Sequence, residues 1–212
     1  MEVFFIIPSI GRDSLIDTIQ SLSNLTDNNW SALIIFDKVK NPITINQANI
    51  HFIETENKVG RIDKKNNAGF VRNIGFSYIR KNNIKTKYIA FVDDDDTLHP
   101  NYIEHLKDNT TKFSNPDVII FRMMYSNYQI IPHPQTRKLQ VKNVGISFAV
   151  KSNLIENEEI LFQNHPFEDY IFLQSCKEMK KKIIISNYVN YFVRATFHHC
   201  KDQIKTYIPI II

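Results

Sequence analysis

The sequence predicts an α/β fold, a largely parallel sheet covered by helices on both faces, and three observations lead there. Val3 to Ile7, Ala32 to Phe36 and Tyr88 to Val92 are continuous apolar runs, as strands buried on both sides must be. Each ends in a proline or aspartate. Between them stand segments whose apolar residues recur at helical spacing, so strand and helix alternate as they do in right-handed crossover units.

Pro8, Ser9 and Gly11 close the first strand and turn the chain into a helix carrying Leu15, Ile19 and Leu22 on one side, with Asp13 or Ser14 placed to cap it. The second strand ends at Asp37. A third short strand is predicted around Phe52 and Ile53, and the charged, glycine-containing stretch from Glu54 to Lys65 reads as a loop. Ala68 to Ile79 is the next helix, and the fourth strand leads into Asp93, Asp94, Asp95 and Asp96. The second half has β-branched and aromatic runs at Val118 to Met124, Gly145 to Val150 and Ile183 to Tyr191, with a helix from Pro166 to Lys180, so it reads as a mixed extension of the sheet. With no repeat or low-complexity linker between the halves, residues 1–212 are expected to form a single domain with lobes at 1–100 and 101–212.

Composition narrows the functional classes. The chain has 212 residues, 43% hydrophobic and 12% aromatic, enough for a sizeable core. Its net charge of +4 is spread along the chain rather than gathered into a basic stripe, which argues against nucleic acid as a partner. Two cysteines, Cys176 and Cys200, without metal-ligand spacing, fit a reduced, cytoplasmic protein. The apolar stretches at the two ends are too short for a signal peptide or a membrane span.

The acidic run carries the chemistry. Adjacent carboxylates repel by about 1 kcal/mol per pair at ~4 Å even in water, so something must offset them. On an extended backbone Asp93 and Asp95 point the same way, roughly 7 Å apart, an arrangement suited to magnesium or manganese with sites left open for phosphate oxygens. The strand's carboxyl end is also where open α/β sheets bind ligands. A solvated acidic turn before Pro100 is the competing reading. An EF-hand is excluded, because Leu98 stands where that loop needs glycine.

YIAFVDDDDTLHPNYIEHL resembles the apolar strand, D-x-D-D motif and proline-started helix of family 2 glycosyltransferases. FFIIPSIGRDSLIDTIQSL is similar to that family's opening strand, proline, arginine and helix, and SALIIFD to its second strand. AGFVRNIG resembles its glycine and R-N-x-G helix start, with a shorter spacing from Gly69 to Arg72 than the usual pattern. HPFEDYIFL resembles its E-D motif, and YVNYFVR its closing strand. The resemblance implies a three-layer α/β/α GT-A fold of the nucleotide-diphospho-sugar transferase kind, with a mixed, mostly parallel central sheet. It implies transfer of a sugar from a nucleotide donor, UDP-linked by preference, to a glycan or glycolipid acceptor, with inversion. It further implies Asp93 and Asp95 as the D-x-D pair on Mn2+ or Mg2+, Asp95 the direct ligand, and donor contacts at Pro8, Asp37, Arg72 and Asp94. Asp169 is then the base and Glu168 its neighbour and orienter.

Independently of that resemblance, Glu168 and Asp169 open a helix, whose dipole favours the ionised form a base needs. Ordinary helix capping is the alternative. Arg194 and His198 follow the last strand, where arginine suits bidentate phosphate contact and histidine a metal or phosphate contact. Lys177 and Lys180 to Lys182 read as a solvated helix end that could also touch an anionic membrane. Two other functions share these residues. FVDDDDTL fits the D-x-D-x-T-L of a haloacid-dehalogenase-like phosphatase with Asp93 as nucleophile, although no Gly-Asp-x-x-x-Asp signature follows. A non-catalytic carbohydrate- or nucleotide-binding module would keep the fold without turnover.

Overall fold

The computed structural model describes residues 2–42, 47–59, 61–62, 65–66, 68–136, 138–156, 160–194 and 209–212. In chain order the elements are β1 (Val3–Ser9), α1 (Leu15–Ser23), β2 (Trp30–Phe36), β3 (Ile50–Glu54), β4 (Arg61–Ile62), β5 (Lys65–Asn66), α2 (Ala68–Lys81), β6 (Tyr88–Phe91) and β7 (Asp96–Leu98). There follow α3 (Tyr102–Lys112), β8 (Val118–Tyr125), β9 (Ile130–Ile131), β10 (Phe148–Lys151), a 3-10 turn (Ser152–Ile155), α4 (Glu168–Glu178), β11 (Ile183–Val193) and β12 (Ile210–Ile211).

One sheet runs in the order β12-β11-β8-β10-β6-β1-β2-β3, with β7 added to β11 and β9 to β8. The pairs β6–β1, β1–β2 and β2–β3 are parallel, as the apolar runs predict, and β8–β11 is parallel too. The antiparallel β10 lies between β6 and β8 and makes the sheet mixed. This is the expected α/β/α layering. Successive residues of a strand face opposite sides, and β1 shows both. Phe5 meets Trp30 and Tyr102 of α3 on one face. Ile6 meets Gly75 of α2 on the other, where Phe76, Phe91, Phe148, Phe162 and Phe172 of α4 interlock. Helix α1 packs against β7, and the segment after it is joined through Thr26 to Pro100 and to Glu104 of α3.

Several boundaries differ from the sequence expectation, each for a local reason. β1 continues through Pro8 to Ser9, because β6 stops opposite Ile6 and Pro8 pairs with β2 alone, where its missing N–H is tolerated. The loop predicted from Glu54 to Lys65 contains the short antiparallel pair β4–β5. Neither Asp13 nor Ser14 caps α1 with its side chain, since the Ser14 hydroxyl donates instead to the Asp94 carbonyl at 2.9 Å. The four aspartates are not extended. Asp96 N–H donates to the Asp93 carbonyl at 3.1 Å, so the run is a turn that leads into β7.

A Cβ on Gly75 would lie 2.7 Å from Ile6 Cδ1 and 2.8 Å from its Cγ2, inside a fully buried contact. Gly75→Ala is therefore expected to destabilise the protein by about 1–3 kcal/mol through overpacking, read by urea denaturation. The second substitution Ile6→Val, which removes Cδ1, should recover part of the loss.

Candidate functional site

The turn at the end of β6 gives each aspartate its own surroundings. Asp94 is turned inward, 2% exposed, where its Oδ2 accepts from the Ser9 hydroxyl at 2.8 Å and from Ile10 N–H at 3.0 Å, and its Oδ1 pairs with Arg12. Asp93 Oδ1 accepts from Arg72 Nη2 at 2.5 Å. Asp95 stands between two arginines, 3.3 Å from Arg12 and 3.4 Å from Arg194, and neither of its oxygens has a hydrogen bond among the described residues. Asp96 is buried, with Oδ1 accepting from Arg194 N–H at 2.9 Å and the Tyr191 hydroxyl bonded to it. Tyr191 in turn accepts Asp93 N–H at 3.0 Å. Burial, with Asp93 alongside, pushes the Asp96 carboxyl up to about 7, against the pull of the Tyr191 and Arg194 hydrogen bonds. The charge that must offset this run is thus supplied largely by arginines.

Across the sheet end, α4 begins with Glu168 and Asp169 in its first turn. Arg72, on α2, reaches them both. Its Nη1 is 3.2 Å from Glu168 Oε1 and 3.5 Å from Asp169 Oδ1, while Gly69 N–H also donates to Glu168 Oε1 at 3.2 Å. Burial alone would pull the guanidinium down, and the three carboxylates, Asp93 foremost, carry it up, so it stays a cation. One positive charge among three negative ones leaves a surplus. Burial therefore pushes the Asp169 carboxyl up to about 7, with Glu168 and Asp93 acting the same way against Arg72. Asp169 Oδ1 is buried without a hydrogen-bond partner among the described residues, and the 26% exposure of this side chain belongs to its other atoms.

Two cavities meet at this turn. The first, about 160 Å3, is lined by Pro8, Arg12, Asp37, Asp93, Asp94, Asp95 and Arg194, among others. Asp37 is buried and accepts Val59 N–H at 2.6 Å. Arg194 is 78% exposed and sits at the rim. The second, about 280 Å3, is walled by Asp93, Asp96, Tyr125, Lys142, Asp169 and Tyr170, with Phe167 and Gly145 among the rest. A wider depression of about 520 Å3 at the opposite sheet edge, around Lys85, Lys87 and Lys151, contains none of these groups.

The structure thus brings Pro8, Asp37, Asp93, Asp94, Asp95 and Arg194 to one cavity and Asp169 to the other, with Glu168 beside Asp169. Arg72 departs from the expectation of a place beside donor phosphates. It is 2% exposed, in neither cavity wall, and spent on carboxylates. Among the described residues no three His, Cys, Asp or Glu side chains converge as a ready metal cage. His198 and Cys200 lie outside the described residues. Ser9 and Tyr191 were given no site role from the sequence, Arg12 entered only as the arginine of the opening motif and Asp96 only as a member of the acidic run, since an arginine before a helix and a tyrosine inside a strand carry no spacing signal. Their partners are some eighty to a hundred residues away.

The α/β/α layers and a carboxylate-lined cleft at the carboxyl edge of the parallel strands define a GT-A-like nucleotide-sugar transferase class. Residues 4–172 match the family described as Glycosyl transferase family 2, and the chain belongs to that family. It is 26% identical over 204 residues to the bifunctional glycosyltransferase pgtA of Dictyostelium discoideum, covering 91% of this chain and 25% of that protein. Residues 1–349 of TarS from S. aureus superpose with a TM-score of 0.68 at 15% identity, over 91% of this chain and 60% of that one. The TarS fragment crystallised with UDP-GlcNAc gives the same TM-score and covers 58% of that chain. The chain therefore spans a quarter of the curated relative and about three fifths of these TarS fragments. Membership of this family sets aside the phosphatase. No described helix is long and apolar enough to cross a membrane.

Because Asp94 is buried and paired with Arg12, each donor to it matters. Ser9→Ala is expected to cost about 1–3 kcal/mol, the range for losing a hydrogen bond to a buried charged group, measured as the shift in urea midpoint at unchanged slope.

Proposed function

We propose that the protein transfers a sugar from a nucleoside diphosphate donor, UDP-linked by preference, to a glycan acceptor hydroxyl with inversion. The observation that carries this is the arrangement of two cavities sharing Asp93, one lined by carboxylates and arginines and the other by Asp169. The bound UDP-GlcNAc of the TarS fragment supports the choice of donor.

The donor occupies the first cavity, with Asp37 accepting from the base, Pro8 against the nucleoside, and Arg12 and Arg194 on the diphosphate. The exposed Arg194 can swing onto phosphate oxygens, for which its planar fork is suited. Asp95 fits a Mg2+ or Mn2+ site, since its carboxylate faces the cavity and is held only by ion pairs, and such ions need one or two carboxylates plus phosphate oxygens. Asp93 stands beside it as the second carboxylate. Bound there, the ion would neutralise charge building on the departing nucleoside diphosphate.

The acceptor enters the second cavity. Its hydroxyl gives its proton to Asp169 as the oxygen bonds to the anomeric carbon, and the bond from that carbon to the phosphate oxygen breaks on the opposite side. Tyr125, Tyr170 and Phe167 offer ring faces to a sugar, and Lys142 stands at the wall. Residues 1–100 would thus form the donor lobe and 101–212 the acceptor lobe of one domain. Lys177 stands in the last turn of α4 and Lys180 to Lys182 lie past its end, and the eleven residues of the helix at about 1.5 Å each make it some 16 Å long from the end that carries Asp169. A membrane held by those lysines would leave the cleft facing away from it, which favours a glycan over a bilayer-embedded acceptor. The nucleotide donor and the free, buried Cys176 fit a cytoplasmic setting.

Thermal shift with a panel of UDP-sugars and manganese should identify a donor, since a ligand binding only the folded state raises apparent stability. If no nucleotide sugar binds or turns over, the reading fails. Asp95→Ala should abolish the dependence of donor binding on manganese, measured by calorimetry. Asp169→Asn should lower kcat by about 10²- to 10⁴-fold with donor affinity kept. The sign of the pH dependence follows from the raised Asp169 carboxyl. Below about 7 it holds its proton and cannot act as base, so kcat/KM should fall tenfold per unit as pH drops below that value.

A further inference from the structure

Arg72 is among the largest fully buried side chains, yet the mechanism above gives it no substrate to touch. Its two terminal nitrogens point in different directions. Nη2 binds Asp93, in the wall between the cavities, and Nη1 faces Glu168 and Asp169 at the start of α4. The face of the guanidinium lies 5.4 Å from the ring of Phe162, which packs on Phe76 and Phe172. The helix that carries it is pressed onto β1 at Gly75. α4, by contrast, has no side-chain cap at its first residue.

We propose that Arg72 is a positioning residue joining the two sides of the site: by gripping Asp93 and the Glu168–Asp169 pair together, it sets the base against the reacting carbon. It does not bind the diphosphate. This rests on Asp169 being the base. A lysine cannot replace it, because one ammonium on a flexible stem lacks the rigid fork that spans both partners and the plane that stacks on Phe162. Misplacing a catalytic group by about 1 Å costs on the order of 10²-fold in rate. The energy of donor binding needs no contribution from a group that donor never meets.

The test compares Arg72→Lys, Asp169→Asn and the double variant in the full chain, with UDP and manganese as the binding probe and UDP release from the nucleotide sugar selected above as turnover. Arg72→Lys is expected to lower kcat by about 10²-fold while the UDP Kd changes less than about threefold. The double variant should be no slower than Asp169→Asn alone, within about threefold, because a misplaced base that is already absent costs nothing more. A tenfold weaker UDP Kd with kcat intact at saturation would assign Arg72 to the phosphates and overturn the proposal while leaving the base in place. A near-normal kcat in Asp169→Asn would sink the base and this proposal with it. Should Arg72→Lys fail to fold, Phe162→Leu, which removes the ring under the guanidinium, is expected to lower kcat several-fold at constant UDP Kd, and the reverse pattern overturns the idea.

Discussion

Four carboxylates on consecutive residues cannot share one direction, and the way their charge is dispersed organises the whole carboxyl edge of the sheet. The backbone turns instead of extending, which sends Asp94 inward to Ser9 and Arg12, Asp93 toward Arg72, Asp95 to the rim and Asp96 under β11. Asp94, Asp93 and Asp96 go to different elements, and Asp95 shares Arg12 with Asp94 and Arg194 with Asp96. The electrostatic problem posed by one tetrapeptide is therefore also what ties β1, α2, β6 and β11 together at the cleft. At effective interior permittivity a close charge pair is worth several kcal/mol before desolvation is subtracted, large against the net stability of a domain.

Much of this could be read in advance. The apolar runs beginning at Val3, Ala32 and Tyr88 are visible because strands buried on both faces tolerate no polar residue, and the parallel half of the sheet follows from them. The acidic run stands out because four carboxylates at a strand end need something to offset them, and the Glu168–Asp169 pair because it falls in a stretch that resembles the family's E-D motif. β4, β5, β7 and β9 were not legible, since two or three residues carry no period and are strands only because a neighbour offers its edge. The proline in β1 was read as a stop for want of knowledge of where β6 ends.

Side-chain destinations were harder still. Spacing suggested that Asp93 and Asp95 aim together, and the family resemblance that Arg72 stands near phosphate, but both depend on the turn at Asp94 and on a helix start about a hundred residues away. Arg12 illustrates the same limit. Its partners are Asp94 and Asp95, and no local pattern announces an ion pair across that separation.

The two cavities share Asp93, and outside the aspartate run and the end of β11 their walls come from different stretches of polypeptide. β1, the loop with Ile10 and Arg12, Asp37 and the first turn of α2 enclose one chamber, whereas Tyr125, the segment around Lys142 and the entry to α4 enclose the other. Under the proposed assignment, evolutionary drift in the second group retargets the acceptor while the donor chamber stays untouched. A single fold can in this way supply many linkages by varying three short segments.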